Sequence, residues 1–470
     1  MATYEMIHPT IAEGSIAELA EGLRGQVIRP GDPGYDEARS IWNGAHDRRP
    51  ALIVRCAGVA DVIRAVEFAS SEQLLTAVRG GGHSIPGFST CDGGIVIDLS
   101  PMKGHRVDPQ ARTATAQAGL TWSEFDHETQ AFGLATTGGL VSSTGIAGFT
   151  LGGGIGWLMR KHGLTCDNLL GADVVTADGR LVRASEEENP ELFWGIRGGG
   201  GNFGIATSFD YRLHPVGPTA YGGALFFPGE LAGEILRFYR EWAPGAPEEL
   251  TTLVSLATAP PVPFIPEEWH GRRIVVFPGL WAGDPEDGAR AVQPLRELGE
   301  PVADLLGPIP YVGMQTLLDP LWGPGAQNYF KAGWVRELDD HAIETLVRFH
   351  QDASSPKSEI HIHQMGGAVA RVPAEATAFG SRRDEFMLNI IASTFTVEGF
   401  AEAVQWAQDL HAAIEPSLSG GSYVNFLPAE GEQRVRASYG EQTFSRLQTL
   451  KDEYDAGNLF RLNQNVPPTA

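Results

Sequence analysis

The chain has 470 residues, 42% of them hydrophobic, 58 glycines, 31 prolines and a formal net charge of -23. That length predicts two or three domains, the apolar content excludes global disorder, and the negative charge argues against nucleic acid and anionic membrane surfaces as partners. Three cysteines without a CxxC pair, no Asn-x-Ser/Thr sequon and an acidic start (Glu5, Glu13, Glu18) give neither a disulfide framework nor a secretory signal, so a cytoplasmic location is expected.

In chain order, Ser15-Ile16-Ala17-Glu18 has capping-box spacing and predicts the start of a short helix. Ala51–Arg55 reads as a strand, Asp61–Ser70 as an amphipathic helix and Leu74–Val78 as a second strand. Arg79-Gly80-Gly81-Gly82-His83-Ser84 follows directly. Three glycines in a row favour neither helix nor strand, but they can aim backbone N–H groups at one point and cradle a phosphate. A βαβ-like opening also puts the ligand at the C-terminal end of its strands. Arg79 is a candidate to neutralise such a phosphate, with His83 beside it.

Ile95–Leu99 and Arg112–Ala118 continue as strands, and Thr121-Trp122-Ser123-Glu124 repeats the capping-box pattern before a helix to about Phe132. From Thr129 to Met159 no residue is charged, yet nine of the 31 positions are glycine. That is too polar and too glycine-rich for a membrane helix and reads as a buried loop at a ligand. Ala172–Thr176 and Arg180–Ala184 flank Ala177-Asp178-Gly179 as a hairpin, and Ile205–Leu213 alternates like a strand. His214 to Pro218 reads as a domain exit.

Between about Tyr221 and Leu418, β-like runs (Gly223–Phe227, Thr252–Thr258, Arg273–Leu280, Glu359–His363, Phe386–Ser393) alternate with helical ones (Leu231–Trp242, Glu286–Leu298, His341–Ala353, Phe400–Ala413). One antiparallel sheet covered by helices on one face is the expected result. Tyr423 to Ala470 returns to glycine and amide side chains.

Several motifs are excluded. Gly199 to Gly204 satisfies GxGxxG but precedes a strand-like segment, so it is not a Rossmann site. There is no GxxxxGK[ST], HExxH or GxSxG, and His361-Ile362-His363 alone is a weak metal pair. Three glycine-rich segments remain, Gly80–Gly82, Gly138–Gly156 and Gly198–Gly204. Together they suit backbone approaching one extended ligand, and FAD meets that demand better than a lone phosphate.

The run from Arg79 to Ser84 resembles the covalent-FAD loop of berberine bridge enzyme-like oxidases, in the vanillyl-alcohol oxidase/para-cresol methylhydroxylase (PCMH) superfamily. The similarity continues through Gly138–Gly148, Leu151–Gly156, Lys161–Leu169, Arg197–Gly204, Tyr423–Phe426 and Phe460–Asn465. It implies an α+β fold with a PCMH-type FAD-binding domain built from both chain ends (1–217, core about 47–217, and 419–470). A substrate domain of antiparallel sheet plus helices (218–418) is inserted between them.

The resemblance also implies roles. His83 matches the histidine that bonds the flavin. Val141 falls where many relatives carry a second, cysteinyl link, so attachment through His83 alone is expected. Tyr423 matches the tyrosine beside the flavin and is the candidate base, although its ordinary pKa of ~10 requires a cationic or hydrogen-bonding neighbour. Other expected cofactor contacts are Gly139, Leu140, Ser142, Thr144, Gly145, Gly148, Gly152, Gly153, Gly154, Ile205, Asn425, Asn463 and Asn465.

The implied reaction is two-electron oxidation of an alcohol or amine by FAD. Thr144 at the oxygen-gating position favours O2 as acceptor and peroxide as product. The alternatives are a dehydrogenase with another acceptor and a non-redox flavoprotein cyclase. Trp322, Tyr329, Trp334, His361, His363 and Gln364 are the candidate substrate contacts. The substrate itself, whether sugar, alkaloid-like amine or polyketide alcohol, stays open.

Overall fold

The computed structural model describes residues 11–469; the acidic start at Glu5 lies outside them. The opening folds as βαβ. Strands β1 (Gln26–Ile28), β2 (Leu52–Arg55), β3 (Thr76–Arg79) and β4 (Ile95–Asp98) form a sheet of order β1-β2-β4-β3. β4 is parallel to both β2 and β3, and the connecting helix Val59–Ser71 buries Val62, Ala65, Val66 and Ala69 on one stripe. The glycine loop leaves the C-terminal end of β3.

A second sheet is antiparallel, in the order β5-β6-β9-β7-β8. Its strands are β5 (His105–Asp108), β6 (Thr113–Gln117), β7 (Leu169–Val175), β8 (Leu181–Ser185) and β9 (Ile205–Arg212). Helix Trp122–Gln130 enters through a complete capping box of Thr121 and Glu124. The capping box expected at Ser15 does not form: that helix runs Glu13–Glu21 from an Ala12 cap, and Ser15 lies inside its first turn.

The third sheet is built from β10 (Thr219–Pro228), β11 (Leu250–Thr258), β12 (Arg273–Trp281), β13 (Gln327–Val335), β14 (Glu359–Gln364) and β15 (Phe386–Thr394). Their order is β10-β12-β11-β14-β15-β13, all antiparallel, with two short strands on the outer side of β10. Helices Ala232–Trp242, Asp340–Gln351 and Phe400–Ile414 pack on one face around Leu236, Ile343, Leu346 and Leu410. The expected helix 286–298 is broken into Pro285–Ala291 and Gln293–Arg296, because Pro294 has no N–H to carry the first helix onward.

One apolar core runs from Ile16 to Leu213 and takes in Val424, Leu447, Phe460 and Val466 from the far end of the chain. A second spans Tyr221 to Ile414 beneath the three helices. The helix-free face of the third sheet looks back toward the glycine loop. Between them lies a cavity.

Candidate active site

The glycines of the first loop are explained by contact between backbones. A Cβ on Gly81 would stand 2.3 Å from the Gly145 nitrogen, and a Cβ on Gly145 would stand 2.3 Å from the Gly81 nitrogen. Gly80 is nearly as tight, 3.0 Å from the Ala118 carbonyl oxygen, and Gly82 turns the chain at φ +72. Only glycine lets these two loops cross so closely, and the crossing brings Ser143 and Thr144 to His83. The imidazole Nε2 is 3.1 Å from the Ser143 hydroxyl, and Nδ1 is 3.5 Å from that of Thr144. Trp42 stacks on the ring at 5.0 Å and 18°. Desolvation pushes the His83 pKa down to about 4, so the ring is neutral at ordinary pH.

His83 borders a continuous void of about 1970 Å³, counted to its open mouth. On one side lie Gly80–Gly82, Gly145, Gly148, Gly200 and Gly201; on another Tyr423, Asn425, Phe426, Asn463 and Gln464. The third sheet closes the end with Phe330, His361, His363, Asn389 and Ile391, beside Trp322. Not one bordering residue is Asp, Glu, Lys or Arg, although the chain has 93 of them (35 basic and 58 acidic).

Of the expected cofactor contacts, Gly80, Gly81, Gly82, His83, Ser84, Gly139, Leu140, Val141, Thr144, Gly145, Gly148, Ile205, Tyr423, Asn425 and Asn463 border the cavity. Six others do not. Arg79 points away from it: its guanidinium bonds Asp98 at 2.6 and 3.2 Å and the carbonyls of Ala38 and Ser40. β3 and β4 put Arg79 and Asp98 in register, so the arginine neutralises a fully buried carboxylate rather than a phosphate.

Ser142 is taken by Asp319, to which it gives both its N–H (2.8 Å) and its hydroxyl (2.6 Å); its neighbour Ser143 meets His83 instead. Gly152, Gly153 and Gly154 are small for internal reasons: a Cβ there would strike Asn425, Phe379 and Thr165. Asn465, with its Oδ1 buried, lies off the cavity.

Tyr423 lies in the wall with its hydroxyl already engaged, accepting the Gly154 N–H at 3.0 Å and the Asn425 amide at 2.8 Å. No cation flanks it, and burial raises its pKa in spite of the two donors, the opposite of what a base requires. Of the substrate candidates, Trp322, His361 and His363 border the cavity. Gln364 follows His363 and therefore faces the other side of β14, where it bonds Thr252 and the Ala243 carbonyl. Tyr329 is likewise on the helix side, near Gln408, and Trp334 is buried beside Phe379.

Trp42, Ser143, Phe330, Asn389 and Phe426 also border the site or hold its histidine and are not among the expected contacts, although Ser143 and Phe426 lie in runs that carry the resemblance. Ser143 was within reach as the neighbour of Ser142. Nothing local marks Trp42 or Asn389, which arrive from distant segments.

The cavity fits FAD on two counts. Cβ atoms built on Gly148 and Gly201 meet nothing within 4 Å, so side chains there would enter space the glycines keep clear. Around the wall, Ser89 Oγ, His363 Nε2, Asn389 Oδ1 and Asn463 Oδ1 are buried without a partner among the described residues, an arrangement suited to a polar ligand.

Comparison with known proteins agrees. A family model of the FAD binding domain matches residues 50–185, and one described as "Berberine and berberine like" matches residues 422–467. The chain is 33% identical over 460 residues to an FAD-linked oxidoreductase of Dictyostelium discoideum, covering 96% of this chain and 97% of the relative. It is 30% identical over 468 residues to (R)-6-hydroxynicotine oxidase of Paenarthrobacter nicotinovorans, covering 95% and 97%. The crystal structure of 6-hydroxy-D-nicotine oxidase from Arthrobacter nicotinovorans superposes with a TM-score of 0.85 at 28% identity, over 94% of this chain and 98% of that one.

Proposed function

Since the chain belongs to the berberine bridge enzyme-like family of FAD-linked oxidoreductases, we propose that it is an oxidase of a small-molecule alcohol, holding FAD covalently through His83 alone and using O2 as acceptor. When bound, FAD supplies the two-electron redox chemistry, taking a hydride from the substrate and passing both electrons to O2 to give H2O2.

The observation that carries this reading is the setting of His83. A neutral imidazole has the free lone pair that bond formation needs, and burial keeps it neutral. Trp42 on its face and Ser143 at one nitrogen fix the ring, and the crossing at Gly81 and Gly145 gives it a rigid mount. Val141 in the cavity wall has no thiol to offer a second link, and Cys56, Cys91 and Cys166 are all buried away from it. Gly80–Gly82, Gly148, Gly200 and Gly201 border the cavity and would offer the cofactor their backbone; Asn425 and Asn463 would be its polar side-chain contacts. Thr144, in the wall beside His83, has the β-branched shape that the resemblance links to O2 as acceptor.

A panel of alcohols and amines, read by peroxide release, tests the function. Peroxide formed in step with substrate loss is expected from an alcohol. Turnover only with a dye or quinone acceptor would make the protein a dehydrogenase instead, and product without flavin bleaching or peroxide would make it a cyclase.

A further inference from the structure

Strand β14 offers Glu359, His361 and His363 on its cavity side, and the register puts His361 opposite Asn389 of β15. His361 Nε2 lies 2.7 Å from Glu359 Oε2, and the same oxygen accepts the Ser255 hydroxyl at 2.9 Å. In the neutral ring Nε2–H donates to the carboxylate and Nδ1 is the lone-pair acceptor, without a protein partner among the described residues, and His361 borders the cavity. Close by, His363 Nε2 and Asn389 Oδ1 are buried and unpartnered. Burial holds the His363 pKa far below its ordinary value, so that ring stays neutral. Lys357, the nearest cation, is outside: it lies against the Trp322 ring at 4.8 Å and donates to the Leu321 carbonyl.

We infer that this end of the cavity takes an uncharged aromatic compound bearing a hydroxyl group, and that His361, braced by Glu359, receives that hydroxyl's proton. This rests on the oxidase reading above. A carboxylate substrate would need a cation in the wall and an ammonium an anion, and the wall has neither. Glu359 is covered by the imidazole it holds. A hydroxyl, by contrast, both donates and accepts, which is the complement of His361 Nδ1, His363 Nε2 and Asn389 Oδ1.

Trp322, Phe330 and Phe426, with Leu318 and Ile391, give an aromatic ring flat and edge-on surfaces to pack against. In the step itself the substrate O–H bond breaks and its electron pair stays on oxygen. The proton forms an N–H bond at Nδ1, and the Glu359 carboxylate, hydrogen-bonded at Nε2, stabilises the resulting imidazolium. Glu359 is thus a positioning residue and His361 the catalytic one. Tyr423 does not compete, because its hydroxyl is held at Gly154 and Asn425.

4-Nitrophenol, titrated into the holoenzyme below the probe's own pKa, reads the proton directly, since phenol and phenolate differ in colour. Saturable binding as phenolate is expected in the wild type, with at least a tenfold fall in the phenolate fraction in His361→Gln. Glu359→Gln should lower it several-fold and Glu359→Asp restore most of it. His361→Asn replaces His361→Gln if the latter fails to fold, as judged by its unfolding midpoint. 4-Nitrobenzoate and 4-nitrobenzylamine should displace the probe at least tenfold less well than 4-nitrobenzyl alcohol.

Binding of neutral phenol to the wild type, phenolate surviving without His361, equal displacement by a charged analogue, or no saturable binding would each overturn the inference. Flavin retention and peroxide release are unaffected by those failures, so the oxidase reading stands or falls separately.

Discussion

His83 is fixed by three neighbours from two other segments: Trp42 on its face, Ser143 at Nε2 and Thr144 at Nδ1. Removing it leaves the fold with little to lose, because the half-buried ring fills cavity wall rather than core. His83→Ala should therefore keep an unfolding midpoint near that of the wild type while losing flavin that resists acid. Tyr423→Phe should behave in the opposite way. The Gly154 N–H would lose its acceptor in a buried site, at a cost of about 1–3 kcal/mol measurable by denaturant unfolding. Flavin retention should be largely kept, and a fall in turnover of several orders of magnitude would return Tyr423 to the role of base.

At this scale the sequence carries much of the site. The glycine-rich runs around His83 and Thr144 mark a ligand by composition, whereas Thr144, Asn425 and Asn463 are singled out as contacts by the family resemblance. Arg79 escapes a local reading because its partner Asp98 is on another strand, and only the parallel register reveals the pair. The reading of Gln364 as a substrate contact runs against strand alternation itself, which gives its side chain to the opposite face from His361 and His363.

Among the elements, the crossing of the two glycine loops makes a graded prediction. Gly145→Ala forces a Cβ against the Gly81 backbone and should lower both stability and flavin content. Gly148→Ala meets no protein atom, so the apoprotein should unfold at the wild-type midpoint while FAD uptake weakens at least tenfold. Equal FAD uptake by Gly148→Ala and wild type would remove that segment from the cofactor surface.

Helix Trp122–Gln130 and the short helix Tyr311–Gln315 meet at another test. Asp126 is fully buried there with one partner, the Gln315 amide at 2.9 Å, and desolvation raises its pKa to about 7. The unfolded carboxyl ionises at ~3.9. Between those values the folded state holds a proton that the unfolded state has released, so Asp126 costs stability as pH rises from about 4 to 7. Asp126→Asn should thus gain on the wild type in unfolding midpoint across that range; a difference independent of pH would contradict it.

The βαβ opening and the helix-covered sheet were legible from periodicity. β13 was not, because Asn328, Lys331 and Gly333 interrupt its apolar residues. Nor were helices Glu432–Tyr439 and Glu441–Tyr454, which bury only thin stripes and spend a buried position on Lys451, paired with Asp455 just past the second helix.

For the molecule as a whole, a chain of net charge -23 encloses a cavity without a single charged side chain. Acidity keeps the surface away from anionic partners, whereas the cavity recognises by shape, backbone and neutral polar groups. Burial also holds five histidines outside the cavity below their ordinary range: His46, His162 (to about 3), and His214, His350 and His411 (to about 4). Each is neutral when folded and takes up a proton at ~6.5 when unfolded. Acidification from about pH 6.5 to about 4 therefore favours the unfolded chain. Asp126 works in the opposite direction, but as one carboxyl against five imidazoles. The urea midpoint should be clearly lower at pH 5 than at pH 7.5, and an unchanged or higher value at pH 5 would contradict this balance.

All these scales meet in one claim, that the cavity holds FAD fixed to His83 and to no other residue. Acid precipitation of the purified protein tests it most directly, with His83→Ala treated alongside. Flavin absorbance should stay with the wild-type precipitate and pass into the supernatant from the variant. Full release from the wild type, or retention by His83→Ala, would contradict it.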